Sequence, residues 1–159
     1  MVDNTGPLKG LKILDMSRIL AGPYATQLLG DMGADVIKVE RPVVGDDTRA
    51  WGPPYVTTAD GEVTRESAYY MCTNRNKRSI AVDMADPEGA ETLCRLAEKA
   101  DVVIQNFKVD GLKKYGLDYE ALKTRNPALV YCSISGFGQT GPNRDKPGYD
   151  LLAQGYGGM

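Results

Sequence analysis

No histidine occurs among the 159 residues. A Ser-His-Asp or Cys-His nucleophile and a histidine-ligated metal are thereby excluded within this chain. Chemistry must rest on carboxylates, amides, hydroxyls, cations and backbone groups. The densest group is Asn74-Arg75-Asn76-Lys77-Arg78, three cations and two amides just before an apolar run. Such a block is either a solvated loop or a phosphate clamp, with Arg suited to bidentate contacts and Lys to a point charge. Arg41 directly follows the run 36–40. It is either paired with a neighbouring carboxylate such as Glu40 or Asp46, or a fixed cation for an anionic ligand. Asn106-Phe107 closes another apolar run, setting an amide and an aromatic face where a ligand would pass. For Phe107 the alternative is a place in the core. Asp150 follows a Gly/Pro-rich loop, where it is a helix N-terminal carboxylate or a site acid.

The elements that must position these groups follow from periodicity and breaks. Apolar runs predict strands over residues 12–16, 35–40, 79–83, 101–105 and 129–133. A helix is expected from about 23 to 32, with Pro23 in its first turn and Gly33 as its stop. The clearest helix begins after Asp86 as cap, with Pro87 first and Glu88 at the positive end of the dipole, and runs down to Lys99. Shorter helices are expected at 69–73, 109–115 and 119–124, and another opens at Asp150. Residues 42–68 read as a long irregular excursion, which in a compact domain is usually functional. The alternation predicts an α/β fold, a Rossmann-like and mostly parallel sheet with flanking helices. Open sheets of this kind bind ligands at the carboxyl ends of their strands, and both Arg41 and Asn106-Phe107 fall there. Together they favour a nucleotide-like anion.

A dinucleotide is disfavoured. The first strand is followed by Ser17-Arg18-Ile19-Leu20-Ala21-Gly22-Pro23, with one glycine where a pyrophosphate-binding turn needs G-x-G-x-x-G. NAD binding is not expected. Composition is that of an ordinary globular protein, 42% hydrophobic and 25% charged, with a formal charge of −2. No global field points to nucleic acid or membrane. Cys72, Cys94 and Cys132 are widely spaced, which reads as reduced, buried thiols of an intracellular protein and not as a disulfide framework or zinc site. No signal or transit segment is visible in MVDNTGPLKG. Residues 1–10 read as an extension and 11–159 as an incomplete domain, because a new helix has barely begun when the sequence reaches Met159.

Six blocks in order then carry a resemblance: LDMSRILAGPYATQLLGDMGADVIKVER, GDDTRAWGPP, NRNKRSIAVDM, DPEGAETLCRLAEKADVVIQNF, YGLDYEALKTRNPALVYCSISGFGQTGP and GYDLLAQGYGGM. From Leu8 to Met159 the chain resembles the N-terminal part of class III CoA-transferases, the formyl-CoA and carnitine CoA-transferase type. Within them it is most similar to those that move CoA from a succinyl-CoA-like donor to a dicarboxylic acid such as glutarate. The resemblance implies a homodimer in the full-length form, with coenzyme A arriving as acyl-CoA and neither metal nor NAD. The partners it implies are small molecules, an acyl-CoA and a carboxylic acid. By position in the matching blocks, CoA contacts fall at Leu20 and Ala21, at Arg41 (phosphate end), at Val82 and Asp83, at Asn106 and Phe107, and at Lys114. Lys114 stands where an arginine often occurs, and Pro147 where some members carry a lysine. The resemblance moves the basic block 74–78 toward a structural role.

The family nucleophile is an aspartate in a later G-D-x-x-x-G-like segment, so it is expected beyond Met159. Asp150 is left a supporting role. Racemases of similar fold place a histidine just before that acid, whereas Tyr149 stands here, and a phenol with a pKa near 10 is a poor base at neutral pH. Transfer is favoured over racemisation. The alternative for the chain itself is a non-catalytic fragment or isoform with at most partial CoA binding. The resemblance suits a mitochondrial matrix protein if a presequence precedes it, and otherwise a cytoplasmic one.

Overall fold

Side chains in a strand alternate between faces, and the first strands divide their residues accordingly. In β1 (Lys12–Asp15) Leu14 faces one layer of core and Ile13 the other; in β2 (Asp35–Glu40) Val39 and Val36 divide the same way. A sheet apolar on both faces must be covered on both. One core layer holds Leu14, Met16, Val39, Leu93, Val103 and Leu122, closed by α3 (Pro87–Ala97) and α4 (Tyr119–Arg125). The other holds Ile13, Ala34, Val36 and Ile104, with Leu8 and Leu29 packed against it. Leu29 belongs to α1 (Ala21–Asp31), which packs on α2 (Ala68–Asn74). This computed structural model describes residues 5–159. The first four residues of the expected extension lie outside the described residues. Its later part is held to the end of α1, with Leu8 N–H donating to the Met32 carbonyl at 3.0 Å.

The main sheet is parallel throughout. Its order is β5-β2-β1-β6-β7, with β5 at Lys77–Ala81, β6 at Val102–Gln105 and β7 at Val130–Ser133. The chain steps outward from β1 first to one side and then to the other. A crevice is therefore expected where the order reverses, at the carboxyl ends of β1 and β6. A small antiparallel hairpin of β3 (Tyr55–Thr57) and β4 (Val63–Ser67) stands apart from it. A last helix, α5 (Asp150–Gly157), closes the chain.

Several expectations need correction. The excursion 42–68 is not irregular throughout, since it contains the β3–β4 hairpin and a 3-10 turn at Asp47–Ala50 capped by Asp46. Strand β5 starts two residues earlier than expected, because Lys77 and Arg78 pair in register with Val36 and Ile37 of β2. The helix expected over 109–115 shrinks to a 3-10 turn at Lys113–Tyr115, ended by Gly116 in the left-handed region. The helix expected to run to Lys99 ends at Ala97. Of the three thiols expected to be buried, Cys94 is, while Cys72 and Cys132 are exposed, the first on a short helix and the second on an edge strand.

The turn between β1 and α1 is tightly built. A Cβ on Gly22 would lie 2.2 Å from the Ser17 Cβ, so only glycine lets the helix close onto the strand end. Ile19 holds a φ of 70°, which is sterically costly for a β-branched residue.

Candidate functional site

On the α1 side of the sheet, the alternation that begins apolar ends ionic. Ile13 is followed two residues on by Asp15, and Val36 by Lys38 and Glu40, all buried. Lys38 Nζ meets Asp46 Oδ2 at 2.9 Å with both side chains 1% exposed, and also donates to the Ser17 carbonyl at 3.1 Å. Asp46 further accepts from the Ile19 N–H and from the Thr48 N–H and hydroxyl. Burial opposes its ionisation, but Lys38 and these donors outweigh it and hold its pKa below the usual carboxylate value. Lys77 donates to Asp15, to the Pro23 carbonyl and to Asn74. Burial pushes its ammonium down to about 8, against the opposing pull of Asp15.

Glu40 is the second anchor. It accepts from Arg49 at 2.7 and 2.8 Å, from Tyr70 Oη at 2.9 Å, from the Asp46 N–H at 2.8 Å and from the Ser79 hydroxyl. Burial raises its pKa, yet these donors more than offset it and bring it to about 2. The unfolded chain, with an ordinary glutamate pKa, therefore binds more protons between about pH 4.5 and 2, so stability falls as pH falls through that window. The loss from this one group approaches about 3 kcal/mol at its limit. Urea titrations at pH 5 and pH 3 check it: Glu40→Gln should lose less stability across the interval than the wild type. Equal losses would remove Glu40 from the acid response.

Above this ionic layer lies a cavity of about 210 Å³, lined by Met16, Arg18, Val39, Arg41, Val82 and Phe107, with Glu40, Asp46, Asp83 and Tyr115 among its other walls. Met16, Arg41, Val82 and Phe107 follow the carboxyl ends of β1, β2, β5 and β6, as expected for an open parallel sheet, and Asp46 and Tyr115 come from the 3-10 turns beside them. Arg18 and Arg41 are its cations, set against the acids Glu40, Asp46 and Asp83. Arg18 Nη1 lies 3.3 Å from Asp47 Oδ2, and Arg41 pairs with the other oxygen of the same carboxylate. The acids Glu40 and Asp46 are matched by Arg49 and Lys38. Arg18 lies over the Phe107 ring, 5.2 Å from its centroid.

The expected site residues separate into three groups. Arg41, Val82, Asp83 and Phe107 line the cavity together; Phe107 also packs against the core, as its alternative reading expects. Asn106 instead clasps the turn after β1, accepting from the Arg18 N–H at 2.8 Å and donating to the Arg18 carbonyl at 2.7 Å. Leu20 and Ala21 are exposed where α1 begins. Lys114 lines a wider groove between α3 and α4, which meets the cavity at Met84, Ala85 and Tyr115. Asp150 is exposed in the first turn of α5, where its carboxylate accepts from Gln154 at 2.8 Å.

The block 74–78 makes no phosphate clamp. Arg75 and Asn76 bind Asp31, Arg78 binds Asp35, and Lys77 is buried on Asp15. Arg41 has a carboxylate partner, but it is Asp47 and not Glu40 or Asp46. Sequence reasoning missed Arg18 as a wall of the cavity. Its one available signal was its place directly after the first strand, where a switch-point ligand would lie.

This fold, an open parallel sheet covered on both faces, is shared by a defined class. The chain matches the model of CoA-transferase family III over residues 8–159 and belongs to that family. Among its relatives, the succinate–glutarate CoA-transferase of Agrobacterium fabrum is 60% identical over the whole chain, which spans 40% of that protein's length. The human succinyl-CoA:glutarate CoA-transferase is 50% identical over 99% of the chain, which spans 34% of that protein. A crystal structure of a CAIB/BAIF family protein from Brucella suis superimposes with a TM-score of 0.90 at 56% identity, covering 97% of this chain and 40% of the other.

Proposed function

We propose that this chain forms the CoA-binding part of an enzyme that moves CoA from a succinyl-CoA-like donor to a dicarboxylic acid such as glutarate. The observation that carries the reading is the cavity flanked by Arg18 and Arg41, in a chain 60% identical to a succinate–glutarate CoA-transferase. At about 210 Å³ it is smaller than the roughly 300–1,000 Å³ that encloses a whole drug-sized ligand. It suits one end of an elongated carrier, the adenine nucleotide. In this reading Arg41 meets the phosphate end, while Val82, Asp83 and Phe107 flank the base. Asn106 acts by holding the Arg18 turn. Leu20 and Ala21 lie along the carrier toward its thioester, and Lys114 extends the cationic path.

The reaction proposed is nucleophilic catalysis in stages. A carboxylate of the enzyme attacks the donor thioester carbonyl, giving a mixed anhydride and CoA thiolate. The thiolate attacks the enzyme-side carbonyl and releases the donor acid, leaving an enzyme thioester. The acceptor carboxylate attacks that thioester and again expels CoA thiolate, which then attacks the acceptor side of the new anhydride and restores the enzyme carboxylate. The nucleophilic aspartate belongs to polypeptide outside these residues, and Asp150 supports it from α5. The whole enzyme acts as a homodimer. Transfer from succinyl-CoA to glutarate is to be followed by chromatography of the acyl-CoAs, in the 159-residue chain and in a longer chain that includes the G-D-x-x-x-G-like segment. Transfer is expected only in the longer one. Glutaryl-CoA formation by the shorter chain would place the nucleophile within it, and no transfer by either would refute the reaction.

A further inference from the structure

Asp47 gives the cavity a competitor for its own ligand. Two guanidinium groups that line the cavity, Arg18 and Arg41, share this single carboxylate. The other acids of the cavity floor have their own cations, Glu40 with Arg49 and Asp46 with Lys38, while Asp83 accepts from the Ala85 N–H at 2.9 Å. Two guanidinium groups thus share one carboxylate at this corner, with Asp83 as a further acid on the cavity wall. One donor is also unspent, because Arg18 Nε is buried without a hydrogen-bond partner among the described residues.

The parts differ in how freely they move. Asn106 pins the Arg18 main chain on both its N–H and its carbonyl. Asp47 follows the buried Asp46, which Lys38 and Thr48 hold in place. The Asp47 side chain is 34% exposed and can turn to water, and those of Arg18 and Arg41 are 37% and 49% exposed. A phosphate dianion offers more acceptor oxygens and more charge than a carboxylate, so it matches two guanidinium forks better.

We propose that Asp47 is a competing counter-ion: it occupies Arg18 and Arg41 when the site is empty and is displaced by a ligand's terminal phosphate monoester. This rests on the CoA-binding reading above and adds to it Arg18 as a phosphate ligand and Asp47 as the group that a phosphate must outcompete. A nucleotide without that phosphate leaves the Asp47 pairs intact. The two arginines favour CoA over dephospho-CoA, and Asp47, displaced only by CoA, narrows that preference.

Calorimetric titration of the intact protein with CoA and with dephospho-CoA tests this. Asp47→Asn should tighten CoA roughly three- to tenfold, because two partly exposed pairs no longer compete. Dephospho-CoA should change by less than about twofold on the same scale. Asp47→Glu, which keeps the carboxylate, should return CoA affinity toward wild type. Equal gains for both nucleotides, or weaker CoA binding by Asp47→Asn, would overturn the proposal in favour of a purely positioning carboxylate. Wild-type protein that binds neither nucleotide would instead refute the CoA-site reading, and this inference with it.

Discussion

Replacing Lys38 with methionine is expected to lower unfolding stability by roughly 3–5 kcal/mol. The cost comes from what is left behind. Asp46 remains buried beneath the turn after β1, having lost the cation 2.9 Å away. Methionine fills much of the lysine's volume, so a cavity contributes little. The Ser17 carbonyl loses a donor as well. Two escapes are open to Asp46, taking up a proton or swinging outward, and both disturb the Ile19 and Thr48 N–H groups that it holds. Urea denaturation of Lys38→Met, Asp46→Asn and the double variant checks this. The double variant should be more stable than Lys38→Met, since the orphaned charge is gone. A loss below about 1 kcal/mol for Lys38→Met, the scale of an exposed pair, would mean that the pair is wetter than its burial indicates.

Arg41→Ala is expected to weaken CoA binding about ten- to a hundredfold with little effect on folding. Hydrogen bonds to charged groups are worth about 1.5–3 kcal/mol, and each 1.4 kcal/mol is tenfold in affinity. The folding cost should be small because the Arg41 side chain is 49% exposed and its partner Asp47 keeps Arg18. Calorimetry for affinity and thermal unfolding for stability separate the two effects. Unchanged CoA affinity would return Arg41 to a surface ion pair.

The readable parts of this chain were those where local chemistry and tertiary structure agree. Asp86-Pro87-Glu88 announces a helix start, and α3 begins at Pro87 with the Asp86 side chain accepting from the Glu88 N–H. The strand 35–40 was legible from its apolar residues, and β2 has those bounds. Two of its three charged residues were not legible as interior groups. Lys38 and Glu40 are buried because partners distant in sequence, Asp46, Arg49, Tyr70 and Ser79, converge on them. No periodicity encodes that convergence. The hairpin was hidden for a different reason: β3 has three residues, and both strands are largely exposed, so neither shows an apolar face.

The site was legible in outline and misread in detail. Arg41 and Phe107 come to one cavity because they end strands of one parallel sheet, which a strand-by-strand reading can anticipate. The cationic block 74–78 illustrates the opposite case. Three adjacent cations suggest an anion site, but the acids that neutralise them, Asp31, Asp35 and Asp15, lie 40 to 60 or so residues earlier. Arg18 had no such density of charge to mark it.

Diffraction from crystals of the protein grown with CoA is the most direct trial. Adenine-nucleotide density is expected in the cavity between Met16, Val82 and Phe107, with phosphate oxygens within hydrogen-bond distance of Arg18 and Arg41. CoA lying wholly in the groove between α3 and α4, or elsewhere without touching either arginine, would contradict that placement.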